Sequence, residues 1–130
     1  MAIVQDRSLR KPSGARNTST RTKRVHMLGS NPLNTTIGNH RKSVNRVRGG
    51  IIKVGLLSTD VVNLFVPSEN KHVKAKLVAV KENTADTNFV RRNIITKSAK
   101  IETDKGLAVV TNRPGQQGNI NAVLLEEKKN

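Results

Sequence analysis

The pattern of apolar and polar residues changes near residue 44. Beyond that point, short apolar or alternating runs are separated by turn residues, which is typical of β-strands. The clearest run is VKAKL at residues 73–77, where apolar side chains alternate with lysines. This period of two indicates a strand with one buried and one exposed face. The runs predict strands at residues 44–48, 51–58, 61–66, 73–82, 89–97, 99–103, 107–112 and 120–127, with a hairpin turn at residues 104–106.

The strand pattern predicts an all-β fold. A helical alternative for residues 73–82 is disfavoured by the β-branched residues and by the turns on either side. The sequence shows neither a long amphipathic helix nor an internal repeat. Short strands at close intervals favour a small closed or partly open β-barrel of about six short strands. We therefore expect residues 43–130 to form a β-barrel domain.

The first part of the chain follows a different pattern. Residues 8–40 are rich in Ser, Thr, Asn, Gly and Arg, and their apolar residues have no regular spacing. Such a composition buries too little apolar surface to offset the entropy lost on ordering. We expect residues 1–42 to form a long, extended basic arm that becomes ordered on a partner.

Charge narrows the class of partner. The chain has 24 Lys and Arg residues against 9 Asp and Glu residues, a formal net charge of +15. Such an excess attracts polyanions, including nucleic acid, anionic membranes and acidic polysaccharides. A membrane binder would need an amphipathic helix with a basic face, which the sequence lacks. With two Phe and no Trp or Tyr, we expect no aromatic stacking surface for single strands, so binding would rely on charge and hydrogen bonds.

Other chemistry finds little support in the sequence. The absence of cysteine excludes disulfides, thiol catalysis and thiolate zinc sites. The histidines (His26, His40 and His72) lack a metal-binding spacing, and the acidic residues are scattered. No catalytic motif is present, so we expect no enzyme, no cofactor, no metal and no small-molecule substrate. The polar N-terminus and the lack of a long apolar run predict a cytoplasmic protein without a membrane span.

The segment VNRVRGGII at residues 44–52 has two interpretations. A phosphate loop would need Lys and Ser or Thr after its glycine, and Gly49–Gly50 lacks them. The favoured alternative is a strand with Arg46 and Arg48 on one face, followed by a glycine bulge or a close backbone approach. Because Arg41–Lys42 lies nearby, contact with a polyanion is favoured over a merely solvated charged face.

The segment RPGQQGN at residues 113–119 also has two interpretations. Its Pro and Gly residues are typical of a connecting loop between strands. Its Arg113, Gln116, Gln117 and Asn119 could equally lie on a surface that binds nucleic acid. Composition alone does not decide between them.

Several longer stretches carry a family resemblance. In chain order they are RSLRKPSGAR, LGSNPLNTTIG, NRVRGG, NFVRRNIITKSAKIET and TNRPGQQGNINAVLLE. Together, over nearly the whole chain, they resemble the small-subunit ribosomal protein eight family of the archaeal and eukaryotic type. The last two stretches are long and specific, whereas VRGG and RPGQ are weak signals alone. The compact length, without a large insertion before the final loop, resembles the archaeal branch.

The resemblance implies a structural constituent of the small ribosomal subunit that supports translation and is not an enzyme. Its implied fold is a β-barrel-like core with a basic extension threaded into ribosomal RNA. Its implied partners are small-subunit ribosomal RNA and neighbouring ribosomal proteins, in the cytoplasm. A free-standing basic RNA-binding protein or RNA chaperone is the alternative, because the charge fits it equally well. Sedimentation with the small subunit would separate the two.

The sequence departs from the family pattern in two places. Where the family has a basic and aromatic stretch, this chain has Lys23–Arg24–Val25–His26. Where the family has several cations after the double glycine, residues 51–58 contain only Lys53. RNA contact by that segment is therefore left open, and deeper packing is its alternative.

The predicted RNA-binding residues are mostly cations, which pair with phosphates. Duplex RNA favours such contacts, because its deep, narrow major groove keeps side chains from the bases. If about six cations engage, log affinity should fall against log salt with a slope of about −4 to −5. The resemblance assigns Arg7, Arg10, Lys11, Arg16, Lys23, Arg24, Arg48, Gly49, Gly50, Arg91, Arg92, Arg113 and Gln116, and the basic run adds Arg21, Arg41, Lys42 and Arg46.

Overall fold

The computed structural model of the protein describes residues 8–18, 22 and 24–127. The chain divides between Pro32 and Leu33 into two compact units. The strands and both α-helical turns lie in the second unit. They are β1 (Thr36–Ile37), β2 (Arg41–Arg46), β3 (Ile52–Thr59), β4 (Val61–Val66), β5 (Lys71–Glu82), α1 (Asn88–Arg91), β6 (Lys100–Thr103), β7 (Gly106–Val110), α2 (Pro114–Gln117) and β8 (Asn121–Glu127).

Five strands form a closed barrel in the order β4-β5-β6-β7-β8. Neighbours pair antiparallel except where β8 closes the barrel by pairing parallel with β4, with Asn63 opposite Asn121. Closure leaves no unpaired sheet edge in the barrel. The predicted all-β class and the barrel are confirmed. The barrel has five strands rather than about six, because residues 52–59 join a separate sheet.

The barrel interior is filled by apolar side chains that alternate along the strands. On β4, for example, Val62, Leu64 and Val66 are buried, while the residues between them are more exposed. Burying one such side chain stabilises the fold by about 1.5–3 kcal/mol. The core is therefore produced by the period-two pattern that is visible in the sequence.

Strand β5 is long because it serves two neighbours. Residues 71–76 pair with β4, and the following half of the strand, beginning at Leu77, pairs with β6. The register with β6 shifts between Leu77 and Ala79 and again between Val80 and Glu82. Such irregularities bend a strand and increase its twist. The bend lets so few strands close around one core.

A second sheet has the order β1-β3-β2, and β3 leads into the barrel through Asp60. The buried Thr35 hydroxyl donates to the Leu56 carbonyl (2.7 Å), and the Ile95 amide donates to the Thr35 carbonyl (2.8 Å). These bonds hold the short strand β1 between β3 and the segment that follows α1. The core residue Leu56 is fully buried, so this sheet packs on the barrel core.

The predicted strand at residues 89–97 is wrong. The Asp86 carboxylate accepts from the Asn88 amide (2.8 Å) and the Asp86 carbonyl accepts from the Phe89 amide (3.1 Å), which starts the single turn α1. The chain then reverses at Asn93, whose φ is +50°, a conformation that Asn tolerates better than most residues. The apolar residues Ile94 and Ile95 are buried, but they follow a turn rather than belonging to a long strand.

The predicted hairpin turn near residues 104–106 is confirmed. Strand β6 ends at Thr103 and β7 begins at Gly106, which leaves a two-residue connection. The buried Thr103 hydroxyl donates to the Gly106 carbonyl (2.8 Å). The Asp104 carboxylate accepts from the Lys76 amide (3.1 Å), which ties the turn to β5.

Candidate nucleic-acid interface

The first unit presents cations on a small hairpin within residues 8–18. The Lys11 amide donates to the Ala15 carbonyl (2.8 Å), and the Gly14 amide donates back to the Lys11 carbonyl (2.9 Å). These bonds close a three-residue loop that begins with Pro12, a residue favoured at that turn position. Residues 8–18 of the predicted arm are therefore folded locally rather than fully extended.

The hairpin places two arginines directly opposite each other. Arg10 and Arg16 form a β-bridge, and both side chains are exposed. The Arg10 guanidinium donates to the Gly14 carbonyl (2.8 Å). Like charges opposite each other across a strand pair are unfavourable, so an anion bound between the two guanidinium groups would relieve the repulsion.

The other predicted residues of the first unit are only partly described. Arg24 is exposed and precedes a 3₁₀ turn at Val25–Met27. Three further predicted cations, Arg7, Arg21 and Lys23, lie outside the described residues. Lys11, beside the hairpin turn, is exposed.

The second unit carries its predicted cations on the β2–β3 hairpin. Strand β2 exposes Arg41, Lys42 and Arg46. In the register with β3, Lys42 lies opposite Leu56 and Arg46 lies opposite Ile52, so these two cations share one face of the hairpin. The Arg46 end of this face lies outside the core, because Ile52, the neighbour of Arg46, is 62% exposed.

The connection between these strands differs from the prediction. Arg48 is not on a strand face with Arg46, because a 3₁₀ turn begins at Arg48 and includes Gly49 and Gly50. The two glycines have φ values of +79° and +75°, which glycine adopts without strain. A Cβ at Gly49 would meet no atom within 4 Å. The glycines are therefore required by the turn, and the predicted close backbone approach is wrong at this position.

A close approach occurs instead at Gly55 on β3. A Cβ at this position would collide with the Leu33 side chain and would lie 2.5 Å from the Gly115 carbonyl oxygen. Only glycine therefore allows the RPGQ segment to pack against β3. Along the same segment, a Cβ at Gly118 would lie 2.7 Å from Val54 and 3.8 Å from the Lys42 side chain.

The fold thus brings together two of the predicted motifs. The RPGQ segment forms the single turn α2, which starts at the buried Pro114 and lies against β3. Arg113 and Gln116 are both exposed. Because the end of this segment reaches Lys42, the cations of β2 and the polar RPGQ segment belong to one surface. We call this surface, formed by residues 41–53 and 113–118, the hairpin surface.

Arg91 and Arg92 lie farther from this surface. Both are exposed at the end of α1. Backbone pairing forms a row from Ile94 through Thr36 and Ser58 to Arg41. With neighbouring strands about 4.8 Å apart, the row places Ile94 about 14 Å from Arg41. The arginine pair therefore flanks the second sheet on the side opposite β2.

The described ion pairs do not involve the predicted cations. They join Lys81 to Glu102 (2.9 Å), Lys100 to Glu82 (2.7 Å) and Lys71 to Glu69 (3.8 Å). From residue 7 to residue 59 the sequence has no Asp or Glu. Uncompensated cations produce a positive field that concentrates polyanions. The predicted RNA-binding cations that the structure describes contribute to that field, since none of them has a described ion pair.

Sequence reasoning missed three lysines. Lys53 is exposed on β3 opposite Asn45, on the face of the hairpin that Lys42 and Arg46 do not share. Its segment has fewer cations than the family pattern, so the sequence did not assign it to the site. Lys74 and Lys76 are exposed on β5. Their alternation with buried residues predicted a solvent-exposed face. The fold shows that Lys74 lies opposite Asn63 and Lys76 opposite Val61 on β4.

The histidines and carboxylates show no metal-binding geometry in the part of the chain that the structure describes, since no three of them are grouped around one point. His40 instead contacts the Thr59 hydroxyl, with 3.2 Å between Nδ1 and Oγ1. Across these same residues, no helix has the length and apolar character that a membrane crossing requires.

Comparisons with known proteins agree with these features. The sequence profile of the family described as Ribosomal protein S8e matches residues 4–125. The small ribosomal subunit protein eS8 of Methanobrevibacter smithii is 46% identical over 125 residues, covering 96% of this chain and 100% of the relative. The eS8 proteins of Methanosphaera stadtmanae and Pyrobaculum islandicum are 44% and 42% identical, over 97% and 96% of this chain and 100% and 97% of the relatives.

Proposed function

The chain belongs to the S8e family of ribosomal proteins, and from this premise we propose that it is a structural constituent of the small ribosomal subunit and not an enzyme. The relatives named small ribosomal subunit protein eS8 match nearly the whole chain, which supports the same role for this protein. In that role its partners are small-subunit ribosomal RNA and the ribosomal proteins beside it.

The observation that carries RNA binding is the separation of charge. Arg41, Lys42 and Arg46 are exposed without a described ion pair, whereas the described carboxylates lie at residue 60 and beyond. Cations that the protein leaves uncompensated can each neutralise a phosphate and release counterions. The hairpin surface is therefore the part of the second unit that we assign to the RNA backbone.

The hairpin surface has the geometry for this role. Arginine guanidinium groups bind phosphate oxygens through two parallel hydrogen bonds. Gln116, exposed on α2, adds an uncharged donor and acceptor suited to a ribose 2′-hydroxyl. The tight turn at residues 48–50 lets Arg48 project from the end of the hairpin. The surface thus offers several donors along one ridge to an RNA groove.

The first unit contributes separately. Arg10 and Arg16 face each other on a small hairpin, so one phosphate between them would contact both guanidinium groups. Lys11 and Arg24 are exposed nearby in the chain and extend the cationic sequence. With the predicted cations Arg7, Arg21 and Lys23, this unit forms a basic extension that binds RNA. The flanking pair Arg91–Arg92 provides a further contact from the second unit.

The test changes charge without changing the fold. A double variant, Arg46→Gln with Arg48→Gln, should reduce the magnitude of the salt slope by about 1.5, because each phosphate that a cation neutralises contributes about 0.7–0.9 to it. Affinity for small-subunit ribosomal RNA is measured between 50 and 200 mM salt, a range in which several phosphate contacts change affinity by orders of magnitude. Lys97→Gln with Lys105→Gln, which removes the same charge at exposed lysines outside the hairpin surface and without a described ion pair, is the control.

Two results would reject the proposal. If both double variants reduce the slope equally, the RNA contact follows net charge and not the hairpin surface. If the intact protein fails to sediment with the small subunit at moderate salt, a free-standing basic RNA-binding protein would explain the cations better.

A further inference from the structure

The outer face of the barrel carries a groove at the junction of β5, β4 and β8. Its volume is about 720 Å³, and its lining contains no acidic residue. Cross-strand pairing arranges the lining in two rows. One row contains Lys74, Asn63 and Asn121, and the other contains His72, Phe65 and Val123.

The second row contains an aromatic pair. Phe65 and His72 have ring centroids 4.9 Å apart and planes tilted by 43°. Phe65 is half-buried and His72 is exposed. The sequence suggested that two phenylalanines could not form a stacking surface for nucleic acid. Strand pairing supplies a histidine as the second ring, which is enough for a single base.

The first row contains ordered polar groups. The Asn63 amide nitrogen donates to the Asn121 amide oxygen (3.1 Å), and the Asn121 backbone amide donates to the Asn112 side chain (2.9 Å). Among the described residues, the Asn63 oxygen and the Asn121 amide nitrogen have no partner. They leave one acceptor and one donor available on neighbouring strands, the two kinds of group that the polar edge of a nucleobase pairs with.

One lysine, Lys74, lines the groove, and a second, Lys76, lies outside the lining on the same strand. Lys74 is the cross-strand neighbour of Asn63, and Lys76 lies two residues further on the same face. This spacing places the two lysines about 7 Å apart along β5. They are suited to the phosphates on either side of a base that occupies the groove.

From this geometry we propose that the groove binds one unpaired nucleobase of RNA. The base stacks on Phe65 and His72, its edge bonds to Asn63 and Asn121, and Lys74 contacts the adjacent phosphate. A protein partner is disfavoured because two hydrogen-bonding amides and a lysine lie together in one row of the groove, whereas the centres of protein interfaces are depleted of lysine. The proposal rests on the proposed RNA-binding function and adds a single-strand contact to the phosphate contacts of the hairpin surface.

The test compares the protein's two phenylalanines. Phe65→Leu should weaken binding of a six-nucleotide single-stranded RNA by about 5- to 30-fold, because the base loses its stacking on the ring while leucine keeps part of the contact. His72→Ala, at an exposed position, should weaken it in the same direction. Phe89→Leu removes a ring outside the groove and should have no effect. Binding of a twelve-base-pair RNA duplex should be the same for all variants.

Two-dimensional NMR spectra of the unchanged protein provide an independent readout. The side-chain amide signals of Asn63 and Asn121 should shift on addition of the single strand and not on addition of the duplex. Equal affinities of the Phe65→Leu and Phe89→Leu variants for the single strand, with native unfolding temperatures, would overturn the proposal. If Phe65→Leu does not fold, equal affinities of His72→Ala and the unchanged protein would do so.

The result for the base site can be distinguished from the result for the proposed RNA-binding function. Phe65→Leu changes no charge, so it should lower affinity without changing the salt slope, whereas the arginine variants of the hairpin surface change the slope. A groove that binds purified small-subunit proteins but no RNA, with the hairpin result intact, would leave the proposed function standing and reject the base site.

Discussion

At the scale of single residues, Asn83 shows how much structure one buried amide can organise. Its nitrogen donates to the Ile94 carbonyl (3.0 Å), and its oxygen accepts from the Ala85 amide (3.0 Å) and the Thr96 hydroxyl (2.8 Å). Asn83 is 6% exposed. These bonds shape the loop whose conformation the sequence predicts poorly, and they hold the segment after α1 against the end of β5.

Replacing Asn83 by alanine should lower the free energy of unfolding by about 1–3 kcal/mol, because buried backbone groups would then have no hydrogen-bond partner. Urea unfolding followed by circular dichroism measures the change. Asn88→Ala alters an exposed asparagine in the same loop region and should stay within about 0.5 kcal/mol of the unchanged protein. Equal destabilisation by both changes would contradict the role assigned to Asn83.

Residue type predicted the exposure of the candidate cations better than it predicted their arrangement. That Arg41 and Arg46 would be exposed follows from the cost of burying an unpaired charge. The position of Arg48 outside the strand could not be predicted in this way. The alternation of polar and apolar residues continues through Val47, and only the turn at Gly49–Gly50 interrupts it. The aromatic pair could not be predicted from the sequence, since Phe65 and His72 become neighbours only when β4 pairs with β5.

At the scale of elements, β3 shows where sequence reasoning stops. Its apolar run predicted a strand correctly, and the structure places β3 at Ile52–Thr59. Its partners β1 and β2 were not predictable, because pairing depends on contacts distant in sequence. The strands at residues 61–66 and 73–82 were predicted within two residues, since each has a buried face that fixes the alternation. The run at residues 89–97 has no alternation, and the turn hydrogen bonds to Asp86 decided its conformation.

Gly55→Ala should separate β3 from the RPGQ segment. The new Cβ would meet the Gly115 carbonyl and the Leu33 side chain, so the free energy of unfolding should fall by about 1–3 kcal/mol. Amide NMR signals of residues 113–118 should shift as well. Ser43→Ala changes the cross-strand neighbour of Gly55 and is the matched control. An unfolding midpoint for Gly55→Ala equal to that of the control would show that the segment does not need this close approach.

At the scale of the whole molecule, the boundary between the two units differs from the compositional one. Composition placed the end of the basic arm at residue 42. The structure puts the division after Pro32, and the residues that follow supply the buried Thr35 and strand β1 to the second unit. A polar composition hides this role, because a single buried threonine and a two-residue strand leave almost no signal in a sequence.

Deletion of residues 1–32 should therefore leave the unfolding transition of the barrel within about 1 kcal/mol of that of the intact chain. It should also reduce the magnitude of the salt slope by about 0.7–0.9 for each phosphate that the deleted cations neutralise. Deletion of residues 1–40 should in addition remove the Thr35 bond and β1, and should destabilise the barrel by at least about 1–3 kcal/mol. Denaturant unfolding and RNA titration on the same two proteins measure both effects. An unchanged slope after the shorter deletion would assign all RNA binding to the second unit.

The parallel pairing of β4 with β8 has a consequence for how the protein is made. Asn63 and Asn121 are 58 residues apart in the chain, so the ring of strands stays open until β8, the last of the described strands, has been synthesised. Distant pairings of this kind form slowly. The cationic N-terminal segment is accordingly translated well before the barrel can close. The nascent chain can therefore bind RNA through this segment before the barrel has folded. Pulse-chase protease protection would then appear only after β8 has emerged from the translating ribosome.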